Sequence, residues 1–319
     1  MKSNLYLTLL GVALLAAPAV FGQATSGVVG FSTKTVSPGT SIVVPTLVNA
    51  SVFQGSVTIS SDGLTITPSS APGWTANAYR ATTFSAPTPN YPTHYAEIVS
   101  GTHEGLLLDI SSNSTTALSL VIAAPSVVWN TTQQIAIRPH ITLSKIVEGS
   151  TGLAPGDDVV TIFDASTGGR RDFTYVGGTN FSASGLSANH TPVYPGNGVI
   201  FNATDTVTLN FMGEVKPTKT QVALWSTGTN VVGPMNPASG TLLYGNSLAT
   251  LLAPGDDVIT VYSTNGQMVP SNYTTNGAAI GNSGGPLAPS ATDAIPLNSG
   301  AVITVADPLT WIVRSPLNP

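Results

Sequence analysis

Apolar positions along this chain recur in short β-branched runs, and no 3.6-residue period lasts long enough to predict a long helix. Val28–Val36 and Ser41–Pro45 flank Ser37-Pro38-Gly39-Thr40, which predicts two strands about a Pro-Gly turn. Ser56–Ile59 and Leu64–Thr67 flank Asp62-Gly63, a hairpin signal. Tyr95–Val99, Leu106–Ile110 and Ala117–Ile122 add three more short strands separated by Gly-, Ser- and Asn-rich turns. Together these five predict a small barrel or meander over residues 55–122. Val127–Trp129 and Gln134–Ile137 return as strands of the main body, and Ile141–Glu148 reads as one helical turn or another strand. Arg170–Val176 is expected to pair back through Thr167-Gly168-Gly169. Val207–Phe211 and Val222–Ser226 are further strands, and Thr241–Leu252 a short helix or two extended segments.

One stretch occurs twice. Leu153-Ala154-Pro155-Gly156-Asp157-Asp158-Val159 returns 99 residues later as Leu252-Ala253-Pro254-Gly255-Asp256-Asp257-Val258, each followed by a β-branched run. Gly198-Val199-Ile200-Phe201 through Asp205 has a counterpart in Gly300-Ala301-Val302-Ile303 through Asp307, at an offset of 102. A repeat of turn, strand and closing strand predicts an internal duplication. The expected fold is all-β: two related β-sandwich-like units, with a small β-barrel or meander inserted in the first. The expected boundaries are a leader over 1–24, a first unit over 25–54 and 123–211, the insert over 55–122, and a second unit over 212–319. The repeated LAPGDDV block, the GVIF and GAVI strands and the Gly-Phe-x-Thr start resemble a family of exported verrucomicrobial β-rich proteins of unknown function with internally repeated GDD-strand units. Members of that family often end in an envelope sorting tag, and none is read here. The resemblance implies no activity and no catalytic residues.

Composition narrows the partners. Only 8% of residues are charged and Gly and Pro number 32 and 24, so Ser, Thr and Asn must wet the surface. A net charge of −5, with Arg170-Arg171 the one adjacent basic pair, argues against nucleic acid, which needs clustered cations. Without cysteine there are no disulfides or thiolate metal sites. Lys2, the apolar run Leu5–Ala17 and small residues near Gly22 and Ala24 predict a secretory signal peptide, hence an extracellular, surface or periplasmic protein. No later stretch reaches the ~20 apolar residues of a membrane helix.

Four constellations invite chemistry. Gly281-Asn282-Ser283-Gly284-Gly285-Pro286 looks like a serine-protease nucleophile loop, with Ser283 as nucleophile. None of the four histidines follows the strand-then-small-residue pattern that the motif's partner requires. Asp157, Asp158, Asp205, Asp256, Asp257 and Asp307 could supply oxygen ligands for calcium. The competing reading has the second aspartate of each pair bonding turn N–H groups. His94, Glu97, His103 and Glu104 lie close in sequence, but alternation along a strand turns His94 and Glu97 to opposite faces. Trp74, Tyr79, Tyr91 and Tyr95 cluster about a Pro-rich loop where flat rings could stack on sugars, whereas Trp129, Trp225 and Trp311 read as core. The expectation is an exported, non-enzymatic surface or matrix protein contributing packing, adhesion or self-association. The alternatives are a carbohydrate-binding module acting through the insert and a secreted serine hydrolase at Ser283.

Overall fold

The computed structural model describes residues 27–80, 91–164, 166–237, 241–242, 248–262, 270–275, 280–282, 294–295 and 298–317. The chain is all-β, as its apolar periodicity predicts. It opens with β1 (Val29–Val36) and β2 (Gly39–Val43), then makes a closed barrel of β3 (Phe53–Ile59), β4 (Thr65–Pro68), β5 (His94–Ile98), β6 (Leu107–Asn113), β7 (Leu118–Leu120) and β8 (Thr132–Pro139). The first unit resumes with β9 (Ile141–Thr142), the single turn α1 (Leu143–Ile146), β10 (Val159–Asp164), β11 (Gly169–Gly177), β12 (Asn180–Ala183), β13 (Leu186–Ser187), β14 (Pro192–Val193), β15 (Val199–Ala203) and β16 (Val207–Glu214). The second unit holds β17 (Thr220–Leu224), β18 (Asn230–Val232), β19 (Thr241–Leu242), α2 (Leu248–Leu251), β20 (Val258–Tyr262), β21 (Pro270–Thr275), β22 (Ile280–Asn282), β23 (Ala294–Ile295), β24 (Ala301–Thr304) and β25 (Leu309–Val313).

The repeat extends well beyond the GDD block. The antiparallel pairs β1·β16, β2·β15, β9·β14, β10·β11, β10·β15 and β11·β12 recur in the second unit as β17·β25, β18·β24, β19·β23, β20·β21, β20·β24 and β21·β22. Even the helical turn is repeated. In each unit a two-stranded ribbon covers a larger sheet: Val36, Leu209 and Phe211 pack with Val160, Phe173 and Phe201, and Val222, Trp311 and Val313 pack with Ile259, Ala301 and Ile303. The outer faces of the two sheets meet through Ile42, Val44 and Val231. Backbones come close there. A Cβ on Gly233 would stand 2.7 Å from the Ser299 carbonyl oxygen, and one on Gly300 2.4 Å from that of Val232.

The insert differs from its expected limits. It spans β3 to β8, so it begins before residue 55 and runs past residue 122 to take in Thr132–Pro139, expected in the main body. The reason is physical: β8 pairs with both β3 and β5 and closes the cylinder, leaving the barrel no free edge. Its alternate side chains serve two masters. Ile135 and Ile137 fill the barrel core with Val57, Ile66 and Ile98, while Arg138 faces the body. The first unit's last strand likewise passes residue 211 and ends at Glu214.

Candidate functional site

The densest polar cluster lies where the barrel meets both units. Along β5, Ala96 and Ile98 point into the barrel core while Tyr95 and Glu97 point out against the body, as strand alternation requires. Arg138 on β8 pairs in register with Tyr95 and reaches the same face. Its Nη1 donates to Glu214 Oε2 at 2.5 Å and to the Asn49 carbonyl at 2.8 Å, and its Nε stands 3.4 Å from Glu97 Oε2. From the linker between the units comes Lys216, whose Nζ lies 2.5 Å from Glu97 Oε1 and donates to Thr218 Oγ1 at 2.8 Å. The Thr218 hydroxyl donates to Glu97, and Ser315 Oγ donates to the Lys216 carbonyl. Glu97, Arg138 and Lys216 are all buried. Two carboxylates face two cations, so the charges balance inside a region that excludes water. Burial lowers the Lys216 pKa against the opposing pull of Glu97. Burial, then the Glu97 charge, raises that of Tyr95.

A second limb extends the junction. Asp109 on β6 lies 3.0 Å from His140 Nε2 and accepts from the Tyr194 hydroxyl at 2.6 Å, with the His140 ring between those of Tyr95 and Tyr194. Glu104 accepts from the Lys219 N–H, and Gly105 O accepts from the Gln221 N–H, so the barrel also cradles the linker. Chemically the whole arrangement fastens three bodies together. Its charged groups pair with one another, while among the described residues the buried Tyr95 hydroxyl and His140 Nδ1 have no hydrogen-bond partner.

His94, on the other side of β5, packs at a tilt against Tyr79 with ring centroids 4.8 Å apart. Burial, and secondarily the neighbouring His140, pushes its pKa down to about 4. Because the unfolded chain takes up that proton near the ordinary value of 6.5, stability held above 6.5 is lost as pH falls toward 4. Acid titration of the melting temperature should show this drop in the native protein and a shallower one in His94→Gln.

The sequence-derived candidates fall differently from expectation. Trp74 is 7% exposed and Tyr79 is 8% exposed, and both belong to the barrel core. The Trp74 ring sits edge-on to Phe53 and Tyr79 at 5.0 and 5.8 Å, so the Pro-rich loop turns its rings inward to plug the barrel. Tyr95 is buried beneath the ionic cluster, and Tyr91 accepts a hydrogen bond from Arg171 Nη1 at 2.7 Å. These four rings make no exposed stacking platform. Trp311 is core and Trp129 packs against the barrel core, but Trp225 is 41% exposed.

The aspartates divide within each pair. Asp158 accepts the Ala154 N–H at 2.8 Å and the Thr204 N–H at 2.9 Å; Asp257 accepts the Ala253 N–H at 2.7 Å and the Ala306 N–H at 2.8 Å. Each carboxylate thus closes its own turn and ties that turn to the segment after β15 or β24. Asp157, Asp205, Asp256 and Asp307 are exposed. Among the described residues no three His, Cys, Asp or Glu side chains gather as a metal would require, which leaves the six-aspartate calcium site without its convergence and His94, Glu97, His103 and Glu104 likewise apart. Ser283 lies outside the described residues.

Arg138, Glu214 and Lys216 were not among the residues singled out from sequence. A signal existed: in a chain with 8% charged residues, a charge inside an apolar strand, as in Tyr-Ala-Glu-Ile or Ile-Ala-Ile-Arg, is costly unless paired. Comparison with known proteins finds no matching family model, no matching curated protein and no matching solved structure.

Proposed function

We propose that this protein is an exported, non-enzymatic component of a cell surface or extracellular matrix that works by presenting β surface for packing, adhesion and self-association. The observation that carries the reading is the outer face of the β1–β16 ribbon. There Phe31 and Met212 stand opposite each other in register, 63% and 66% exposed, with Val29 two residues along β1. Beside them opens a cavity of about 420 Å³ that Phe31, Leu47, Ile141 and Phe211 help to line. Other apolar side chains such as Ile122 and Val127 are exposed elsewhere, but here two large ones stand side by side on one ribbon face, which makes it a contact surface. The buried ionic junction supports the same reading, because it ties the barrel to both units through ion pairs closed to water.

Size-exclusion chromatography with light scattering, and electron microscopy, test the proposal. The protein should associate in a concentration-dependent way. Phe31→Ser with Met212→Ser should shift it to monomer, since each apolar side chain is worth about 1.5–3 kcal/mol when covered. A strict monomer across all concentrations, salt and calcium conditions would sink self-association.

A further inference from the structure

The two units clasp each other reciprocally. The segment before β15 leans on the second unit's first strand, where Gly196 lies against Val222, and the Gly233 N–H donates to the Gly196 carbonyl at 2.9 Å. The segment before β24 leans in the same way on β1, and the Val44 N–H donates to the Asn298 carbonyl at 3.1 Å. Side chains break the symmetry. Gly196-Asn197-Gly198 on one clasp becomes Asn298-Ser299-Gly300 on the other, and the place of Val222 is taken by Lys34.

Lys34 is 8% exposed and Ser299 5% exposed, and Lys34 Nζ is hydrogen-bonded to Ser299 Oγ. Around them stand Ser32, Thr46 and Asn298, all uncharged: Asn298 Oδ1 accepts from Thr46 Oγ1 at 2.7 Å, and its Nδ2 donates to Ser32 Oγ at 3.2 Å. Among the described residues no carboxylate pairs with Lys34, and a buried lysine so placed is expensive where the twin position carries valine. Burial alone lowers its pKa to about 8, which brings the neutral amine, a base, within reach of mild alkaline conditions. Serine activated by lysine is a known form of nucleophile. Asn298 is held at φ +52°, in the left-handed region that its twin Gly196 occupies more easily. With both side chains more than nine-tenths buried, a bulky external substrate has no approach, and the acyl carbon adjoining Ser299 is the chain's own Asn298 carbonyl.

We propose that Ser299 and Lys34 form a self-processing site that cuts the Asn298–Ser299 peptide bond once per chain. Ser299 Oγ attacks the Asn298 carbonyl carbon and its proton passes to Lys34 Nζ. The oxyanion forms at the carbonyl oxygen that the Val44 N–H already contacts. The C–N bond then breaks, the amine of Ser299 takes the proton back from lysine, and an ester joins Asn298 to the serine oxygen. Water hydrolyses that ester, leaving a carboxylate at Asn298 and a free amine and hydroxyl on Ser299. The released segment from Ser299 onward is retained natively through β24, which is hydrogen-bonded between β18 and β20.

Denaturing electrophoresis, intact mass and N-terminal sequencing of the purified full chain, incubated above pH 8, read the outcome. The expected result is a fragment beginning at Ser299 that co-elutes with the remainder under native conditions. Ser299→Ala should stay a single chain, Lys34→Met should slow scission at least tenfold, and Ser299→Thr should restore slow cutting. Melting curves establish that each variant is folded. A native chain that remains whole overturns the proposal, and so does scission that persists in Ser299→Ala. Neither result bears on self-association, which rests on a different face.

Discussion

Replacing Glu97 by alanine is expected to destabilise the protein by about 3–5 kcal/mol, the cost of leaving buried charges without their partner. Lys216 and Arg138 would both remain in a region closed to water, facing the space that the carboxylate filled. Natural domains hold roughly 5–15 kcal/mol in all, so this single change should threaten folding at moderate temperature. The effect should be non-additive. Glu97→Leu combined with Lys216→Met removes the need to strip water from the charged pair, and should recover a good part of the loss. A double-mutant cycle by chemical denaturation measures it. The junction also predicts a change in cooperativity. The barrel has a hydrophobic core separate from those of the two units, so weakening the ionic contact should let barrel and body unfold in separate steps. If Glu97→Ala loses less than about 1 kcal/mol and still unfolds in one transition, the cluster is not what couples the bodies.

Local signals were legible wherever the chain answers a local question. Asp62-Gly63 turns β3 into β4, with Gly63 at φ +71° and Asp62 accepting the Leu64 N–H. Thr167-Gly168-Gly169 turns β10 into β11, with Gly168 at the same φ of +71°. The repeated block announced a duplication, and strand pairing extends it to elements with no sequence likeness, such as β12 and β22. Hydrogen-bond pattern constrains a sheet more tightly than side-chain identity does. What depends on distant parts of the chain was not legible. Whether a ring in a Pro-rich loop points inward is decided by Phe53 and His94, which the loop meets only after the barrel closes. The pairing of Glu97 with Lys216 joins residues 119 apart, and nothing near either one names its partner. The clasp at Lys34 and Ser299 is visible only after the two units are overlaid.

The duplicated aspartates allow a prediction that the protein tests twice. Asp158→Ala and Asp257→Ala should each cost about 3–5 kcal/mol, since each removes two charge-assisted bonds worth about 1.5–3 kcal/mol and strands the N–H groups they served. The two losses should be similar, because the contacts match within 0.1 Å at each end, 2.8 against 2.7 Å and 2.9 against 2.8 Å. Asn replacements keep one acceptor oxygen and should lose about half as much. Thermal melts of the four single variants compare the sites directly. Asp157→Ala and Asp256→Ala serve as controls, because their exposed side chains should shift stability by no more than about 0.5 kcal/mol. A calcium chelator separates the two roles open to these residues. If the buried carboxylates are filled by the backbone of their own turns, native melting is unchanged by chelation. If a chelator lowers it by as much as Asp158→Ala does, the oxygens hold an ion, and the turn contacts are not what makes these aspartates indispensable.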